Sequence, residues 1–135
     1  MRVLACDAAV TSDMMAAICV TVGAGARLGC VLHAAGVTDD RTIQHTESSQ
    51  LTAVLAPKAS CAWSLHGGTS SLPPSEGVLL LSSVTAAFGN FGQSNYAVAN
   101  AYLDALAVCM RAQGRTASSL QSLPVAGIGL SNTKT

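Results

Sequence analysis

The sequence predicts an α/β fold built on a parallel sheet, and two observations lead to this class. Short apolar segments alternate with longer amphipathic ones along the 135 residues, as strands and helices do in a parallel α/β domain. Residues 77–81, Gly-Val-Leu-Leu-Leu, are apolar without alternation, as expected for a strand covered on both faces. Half of the residues are hydrophobic and 10% are charged, so the chain can bury a core and is not disordered.

Four strands and three longer helices follow from the apolar periodicity and the turn-forming residues. The predicted strands are Val3–Cys6, Cys30–His33, Val78–Ser82 and Ser118–Leu123. The predicted helices run from a cap at Ser12 or Asp13 to Val20, from a cap at Ser48 or Ser49 to about His66, and over Tyr96–Gln113, closed by Gly114. Segments 23–29 and 67–77 are predicted loops, and the polar segment 37–47 has room for a short helix.

Composition excludes several classes of function. Seven basic and seven acidic residues cancel without forming a basic stripe, which argues against nucleic-acid binding. No apolar run approaches the ~18 residues of a membrane span, and Asp7 interrupts the first apolar segment too early for a secretion signal. The five cysteines form no C-x-x-C pair and are expected to be reduced thiols in a cytoplasmic protein. The three histidines lack metal-ligand spacing, so no metal is expected.

Polar or glycine-bearing residues follow three of the predicted strands. Asp7, the segment His33-Ala34-Ala35-Gly36 and the pair Ser82-Ser83 all come where a strand ends. Ligands of open parallel sheets bind at the carboxyl ends of the strands, so these residues predict a shared site. The alternative is that strands simply end in turn residues.

The glycines at 23, 25 and 29 imitate a phosphate-binding loop. The dinucleotide fingerprint G-x-G-x-x-G lies between a strand and a helix, but here the third glycine comes one residue late and a strand follows. No helix N-terminus is therefore available for a pyrophosphate. The segment is interpreted as a loop between a helix and a strand.

Three polar positions are candidates for chemistry, and each has a plain structural alternative. Lys58 lies on the apolar stripe of its helix, where it either extends to water or directs its ammonium into a site. Tyr96 and Asn100 are four residues apart at a helix start and share a face, although a tyrosine there is often a packing residue. Ser83 follows a buried strand, where it can simply be the strand's polar end.

An ordered set of segments resembles the ketoreductase domain of type I polyketide synthases, in the short-chain dehydrogenase/reductase family. The matching segments are Val31-Leu32-His33-Ala34-Ala35-Gly36-Val37-Thr38-Asp39-Asp40, Leu55-Ala56-Pro57-Lys58, Ala62-Trp63-Ser64-Leu65-His66, Leu81-Ser82-Ser83, Gly89-Asn90-Phe91-Gly92-Gln93-Ser94-Asn95-Tyr96 and Ala99-Asn100-Ala101-Tyr102-Leu103-Asp104-Ala105-Leu106-Ala107. They cover residues 3 to about 130 in family order. The resemblance implies a Rossmann-like parallel sheet.

The resemblance also implies roles for the candidates. Tyr96 would donate a proton to a ketone oxygen, Ser83 would hydrogen-bond that oxygen, and Asn100 would support a proton relay. Lys58 would contact the nicotinamide ribose and favour the ionised tyrosine. Most family members outside the polyketide and fatty-acid branch carry lysine four residues after the tyrosine, where this chain has Asn100.

The implied reaction is the NADPH-dependent reduction of a β-ketoacyl thioester, and it agrees with simple chemistry. Hydride addition to a ketone creates an alkoxide that needs hydrogen-bond donors, and the hydride requires a nicotinamide cofactor. The cofactor-binding residues implied by the resemblance are Asp7, His33, Ala34, Ala35, Gly36, Lys58 and Tyr96. The implied partners are an acyl carrier protein with a phosphopantetheine-bound substrate and the other domains of a synthase.

Asp39 and Asp40 occupy the place of an acidic pair that, in the family, accompanies a D-configured alcohol product. Threonine stands before them where leucine is usual, and Val98 stands where a proline often follows the tyrosine. The tryptophan of the opposite class is absent from residues 88–95. The alternative is that the pair only caps a short helix.

Relative to the family, the sequence is expected to be a truncated domain spanning residues 1–130, with a polar tail over 131–135. It starts at the family's third strand, without the first strands and the glycine-rich loop, and is therefore expected to be inactive alone. Two alternatives remain open: a non-catalytic remnant that keeps the fold without cofactor, and a free-standing short-chain reductase.

Overall fold

A three-stranded parallel sheet forms the centre of the fold. The computed structural model describes residues 3–23, 28–70 and 76–123. The strands are β1 (Cys30–His33), β2 (Gly77–Ser83) and β3 (Ala117–Ser122), in the order β1-β2-β3. Val31 pairs with Val78, and Leu81 pairs with Leu120. The α/β class and the parallel sheet are confirmed, and these strands lie within one residue of their predicted bounds.

The helices match the predicted pattern with shifted ends. They are α1 (Thr11–Gly23), α2 (Ser48–Leu55), α3 (Cys61–Ser70), α4 (Thr85–Phe88) and α5 (Ser94–Ala112). A π-turn over Ala56–Ser60 joins α2 to α3, so the predicted single helix is continuous but locally widened. A short 3₁₀ turn over Ile43–His45 occupies the polar segment. No helix of the described residues is long and apolar enough to cross a membrane.

The predicted strand Val3–Cys6 is wrong, because these residues form no strand. None of the three described strands pairs with them, and an extended segment without a paired neighbour has no ladder of backbone hydrogen bonds. Val3 is 82% exposed.

Two further expectations need correction. Glu47, rather than Ser48 or Ser49, caps α2, because its side chain and that of Gln50 form a reciprocal capping box. The predicted loop 67–77 is wrong at its ends, since α3 continues to Ser70 and β2 begins at Gly77. The middle of that loop, residues 24–27 of the predicted loop 23–29 and the predicted tail 131–135 lie outside the described residues.

Helix α5 covers one face of the sheet and forms the core with it. Leu80 of β2 and Leu103 and Met110 of α5 are almost completely buried and belong to one apolar cluster. Asp104 of α5 accepts hydrogen bonds from Ser119 and Gln121 of β3, which fixes the helix along this strand. The Ser82 Oγ donates to the Asn100 carbonyl, which holds the first turns of α5 near the carboxyl end of β2.

The opposite face of the sheet is uncovered by any described residue. Leu32 of β1 is 60% exposed and Leu120 of β3 is 53% exposed, although both belong to the sheet. The run of residues 77–81 led us to expect a strand covered on both faces, but β2 is buried only at alternate positions until its last two residues. The described chain therefore presents an apolar sheet face to solvent.

Two leucine substitutions on neighbouring strands test this one-sided burial. Leu80→Ala should lower the free energy of unfolding by about 3 kcal/mol, because a fully buried side chain leaves a cavity. Leu32→Ala, on the uncovered face, should cost under about 1 kcal/mol. Urea unfolding followed by circular dichroism measures both values. Equal losses would show that the face bearing Leu32 is covered in solution.

Candidate active site

Lys58 is a buried cation at the centre of the candidate site. Its side chain is 4% exposed, and its Nζ donates a hydrogen bond to the Leu81 carbonyl at 3.0 Å. The same Nζ lies 5.4 Å from the centre of the Tyr96 ring, within the range of a cation–π contact. The structure therefore brings together two residues that are 38 positions apart and were predicted to act together. Lys58 does not extend to water.

The π-turn carries Lys58. The N–H of Cys61 donates to the carbonyls of both Ala56 and Lys58, so one turn is wider than in a regular α-helix. Pro57 lies in this turn and has no N–H to continue the regular ladder. Burial lowers the pKa of the Lys58 ammonium, and the carboxylate of Asp104 partly opposes that effect.

His33 lies behind the lysine rather than on an open surface. Its ring is 3% exposed, with Nε2 3.1 Å from the Lys58 carbonyl oxygen and Nδ1 3.5 Å from the Cys61 Sγ. Burial lowers the pKa of His33 and raises that of the Cys61 thiol to about 11. Because the ring faces the helices, any contact of this residue with a cofactor would come from its backbone. Ala34 is exposed and Ala35 is half-buried.

Gly36 gives Lys58 its space. A Cβ atom at position 36 would lie 2.8 Å from the lysine Cε and 3.3 Å from Nζ. No side chain can occupy that volume unless the ammonium moves.

Tyr96 and Asn100 form the first turns of α5. The Tyr96 N–H donates to the Asn95 Oδ1 at 2.7 Å, which supports the helix start, and the Tyr96 side chain is half-buried. The Asn100 Nδ2 donates to the Tyr96 carbonyl at 2.8 Å. Asn100 is fully buried, and its Oδ1 has no hydrogen-bond partner among the described residues. A buried amide oxygen of this kind requires a donor.

Ser83 is the last residue of β2 and is buried beside the start of α4. Its Oγ donates to the Thr85 Oγ1 at 3.1 Å and accepts from the Thr85 N–H at 3.2 Å. Ser83 lies two residues after Leu81, whose carbonyl holds Lys58. The serine and the lysine are thus placed by the same strand end.

Asp39 and Asp40 contact the loop that precedes Tyr96. The Gln93 Nε2 donates to both carboxylate oxygens of Asp40, at 3.1 and 3.0 Å. The Asn95 Nδ2 donates to the backbone carbonyl of Asp39 at 2.8 Å, and the carboxylate of Asp39 pairs with Arg41. Thr42 precedes the 3₁₀ turn, and its side chain makes no capping hydrogen bond. The two acidic residues therefore make different contacts.

Asp7 begins the turn before α1 and does not follow a strand, although its carboxylate is near enough to Cys61 to help raise the pKa of that thiol. Its carboxylate accepts the Ala9 N–H at 2.9 Å, and its own N–H donates to Asp13. The expected position of Asp7 depended on the strand Val3–Cys6, which the structure lacks. Among the described residues, no group of three or more His, Cys, Asp or Glu side chains could hold a metal ion.

A protein-family model matches almost the whole sequence of the chain. The model of the KR domain matches residues 1–127 of the chain. The chain belongs to this family. It is a ketoreductase domain of the type I polyketide synthase class, as its relatives also show. The resemblance stated from the sequence is confirmed.

The curated relatives are far longer than this ketoreductase segment. Polyketide synthase GfsA of Streptomyces halstedii is 48% identical over 87% of the chain, which covers 2% of that synthase. Mycoketide-CoA synthase of Mycobacterium tuberculosis is 39% identical over 88% of the chain, which covers 3% of that protein.

Solved ketoreductases share the fold. The ketoreductase from the first module of phoslactomycin biosynthesis in Streptomyces sp. HK803 is 37% identical, with a TM-score of 0.85 over 92% of this chain and 28% of its own. A structure of A-type ketoreductases from modular polyketide synthase is 42% identical, with a TM-score of 0.80 over 87% of this chain and 25% of its own.

Sequence reasoning missed Gln93, Asn95 and Cys61. Gln93 and Asn95 stood inside a matching segment, but only tertiary contacts show that they bind the Asp39-Asp40 pair. Cys61 follows Lys58 by three residues on the same predicted helix. This spacing was the only indication in the sequence that Cys61 lies near the site.

The burial of His33 predicts a loss of stability in weak acid. The folded-state pKa of His33 lies below the ordinary value of 6.5, so the unfolded chain binds the proton more readily. This contribution is fully present above pH 6.5 and is lost as the pH falls from there towards the folded-state pKa. Urea unfolding between pH 7.5 and 5.5 should show the decline.

The matched variant is His33→Gln, which does not titrate and should show a smaller decline over this range. Burial also lowers the pKa of His66, so this residue adds to the same decline in stability. The second control, His66→Gln, measures its share. An identical decline in wild type and His33→Gln would contradict the assignment to His33.

Proposed function

We propose that this ketoreductase domain reduces a carrier-bound β-ketoacyl thioester to the β-hydroxyacyl thioester with NADPH. The observation that supports the proposal most is the buried Lys58 ammonium, 5.4 Å from the centre of the Tyr96 ring. Burying a cation costs free energy, and this one lies beside the ring of a tyrosine, whose hydroxyl can donate a proton. This pair is therefore suited to proton transfer at a reacting oxygen.

The residues present fit a nicotinamide cofactor. Lys58 and Tyr96 supply an ammonium and a hydroxyl suited to a ribose, and Gly36 leaves the space that Lys58 requires. The buried Asn100 Oδ1 lacks a donor among the described residues, which suits a relay that includes a bound hydroxyl or water. Bound NADPH would supply the hydride.

The chain's own residues would handle the proton and the developing charge. Tyr96 would donate its hydroxyl proton to the ketone oxygen, and Ser83 would turn its hydroxyl from Thr85 to that oxygen as a hydrogen-bond donor. Lys58 would stabilise the tyrosinate that remains. Asn100 would hold the relay through which the proton is replaced.

The remaining proposed cofactor contacts follow the family. The backbone of His33, Ala34, Ala35 and Gly36 would line the cofactor, and Asp7 would hydrogen-bond the adenine. The Asp7 Oδ1 accepts the Ala9 N–H, and the other carboxylate oxygen would accept a hydrogen bond from the adenine amine.

The relatives are large synthases, which implies that other synthase domains and a carrier protein are the partners. We propose that an acyl carrier protein presents the substrate on phosphopantetheine, and that the assembly works in the cytoplasm. The proposed unit is the catalytic portion of the domain, residues 1–130, with a polar tail over 131–135. The chain spans 28% of the phoslactomycin ketoreductase, and we propose that it acts as part of a complete domain of that kind.

Tyr96→Phe tests the proposed chemistry in a hybrid, in which this chain replaces the matching segment of the phoslactomycin ketoreductase. Loss of the hydroxyl should lower reduction of a β-ketoacyl thioester by ~10²-fold or more. The matched control is Tyr102→Phe on the same helix, which should retain activity. The measurement is NADPH oxidation at 340 nm. Near-wild-type turnover by Tyr96→Phe would remove Tyr96 from the mechanism.

The contacts of Asp40 generate a stereochemical prediction. We propose that the acidic pair supports the loop that admits the substrate, giving the D-configured alcohol. Asp40→Asn should weaken the two contacts with Gln93 and lower the D fraction more than Asp39→Asn, because Asp39 uses its backbone carbonyl towards Asn95. Chiral chromatography of the product from the same hybrid measures the ratio. Predominantly L-alcohol from the unsubstituted hybrid would contradict the proposal.

A further inference from the structure

Both ends of the segment 33–36 contact Lys58. At one end, the His33 Nε2 lies 3.1 Å from the Lys58 backbone carbonyl. At the other end, Gly36 lies so near the side chain that an added Cβ would overlap the lysine Cε. The end of β1 therefore contacts the lysine backbone, and the loop that follows β1 contacts the lysine side chain near its ammonium.

The side of the sheet on which His33 lies explains the first contact. Side chains alternate along a strand, and Val31 of β1 packs against the core formed with α5. His33 is two residues later and points to the same, helix-covered side. The ring therefore meets the π-turn that carries Lys58, while Leu32 faces solvent on the other side.

The chemistry of the neighbours determines the tautomer of the ring. A carbonyl oxygen can only accept, so Nε2 must carry the proton and donate it to Lys58. Nδ1 then has a lone pair, which the Cys61 S–H can meet across 3.5 Å. The raised pKa of that thiol keeps its proton in place, and the lowered pKa of His33 keeps the ring neutral.

The hydrogen bond from His33 to the Lys58 carbonyl acts on the π-turn, where the regular hydrogen-bond pattern of the helix is interrupted. The N–H groups of a regular α-helix set the position of each carbonyl, but the widened turn departs from that repeat. The Lys58 carbonyl receives the Cys61 N–H and, in addition, the His33 ring. A bond from a neighbouring strand thus fixes the one turn of this helix whose local geometry is irregular.

We propose that His33 and Gly36 are positioning residues for Lys58: the neutral His33 ring anchors the lysine backbone from β1, and Gly36 keeps open the volume through which the ammonium reaches the Leu81 carbonyl and the Tyr96 ring. This role for the His33 side chain is separate from the cofactor contact of the segment's backbone. Its catalytic consequence rests on the proposed function, but the placement of Lys58 does not.

The first test uses the unsubstituted 135-residue chain and needs no activity. Long-range ¹⁵N–¹H correlation spectra at pH 7.5 distinguish the two neutral tautomers of a histidine. His33 should show a protonated Nε2 and an unprotonated Nδ1. A neutral ring protonated at Nδ1 would overturn the proposal because the Lys58 carbonyl would then have no donor. A charged ring would also overturn it because Nδ1 would then donate to the Cys61 Sγ.

The second test compares two amides at position 33. In His33→Gln the amide nitrogen takes the place of Nε2 and can still donate to Lys58, whereas in His33→Asn it takes the place of Nδ1 and cannot. The ¹³C and ¹⁵N shifts of the Lys58 Cε and Nζ should stay near wild type in His33→Gln and move towards those of a solvent-exposed lysine in His33→Asn. Wild-type shifts in a folded His33→Asn chain would overturn the anchoring role.

Gly36→Ala tests the other end without changing His33. The methyl group should displace the ammonium, so the Lys58 Cε and Nζ shifts should change. The control is Gly29→Ala, because a Cβ at position 29 meets nothing within 4 Å. Unchanged Lys58 shifts in Gly36→Ala would remove Gly36 from the proposal. If His33→Asn fails to fold, the wild-type tautomer and Gly36→Ala still decide the outcome.

Kinetics in the hybrid ketoreductase then separate positioning from folding. His33→Asn and Gly36→Ala should lower kcat about tenfold while the KM for the thioester changes less than about twofold, and His33→Gln should recover most of the loss. Equal kcat in all three variants would contradict a positioning role. An inactive unsubstituted hybrid would count against the proposed function, while the spectra of the chain would still test the placement of Lys58.

Discussion

The hydrogen bond from the Lys58 ammonium to the Leu81 carbonyl is the interaction on which the candidate site depends. It places a cation inside the protein, where an unpartnered charge would cost several kcal/mol, so the surrounding structure has to be arranged to hold it. The π-turn, the carboxyl end of β2 and the first turn of α5 converge on this one side chain. Tyr96, Ser83 and Asn100 are near the site because those elements carry them.

The carboxyl ends of parallel strands explain why the site lies where it does. β1 ends in His33 and the segment to Gly36, and β2 ends in Ser82 and Ser83. Because neighbouring strands run in the same direction, their ends lie at one edge of the sheet, and the loops that follow can converge. The acidic pair after Gly36 reaches the loop before Tyr96 by the same geometry, through Gln93 and Asn95.

The uncovered face of the sheet relates this chain to its longer relatives. The chain spans about a quarter of the solved ketoreductases and a few per cent of the synthases. Leu32 and Leu120 are exposed in the described chain, and large apolar patches usually mark a contact surface. Lys58 and Tyr96 thus lie on a segment whose described residues cover one side of the sheet and leave Leu32 and Leu120 exposed on the other.

The sequence by itself determined the elements that depend on local patterns. Apolar runs located β1, β2 and β3, helical periodicity located α5 and the helix that carries Lys58, and Gly114 marked the end of α5 with a positive φ of 78°. The ordered family segments identified Lys58, Ser83, Tyr96 and Asn100 as candidates. The pattern failed at Val3–Cys6, because a strand needs a neighbour and strand propensity does not show whether one is present.

Only the tertiary structure decided how the candidates meet. Position on an apolar stripe could not show whether Lys58 reaches water or a carbonyl, since that depends on β2, which lies more than twenty residues away. The segment from His33 to Gly36 had the pattern of a cofactor-lining loop, yet the alternation of β1 turns the His33 ring towards the helices. Contacts between residues distant in sequence are set by the packing of whole elements, and local spacing does not contain that information.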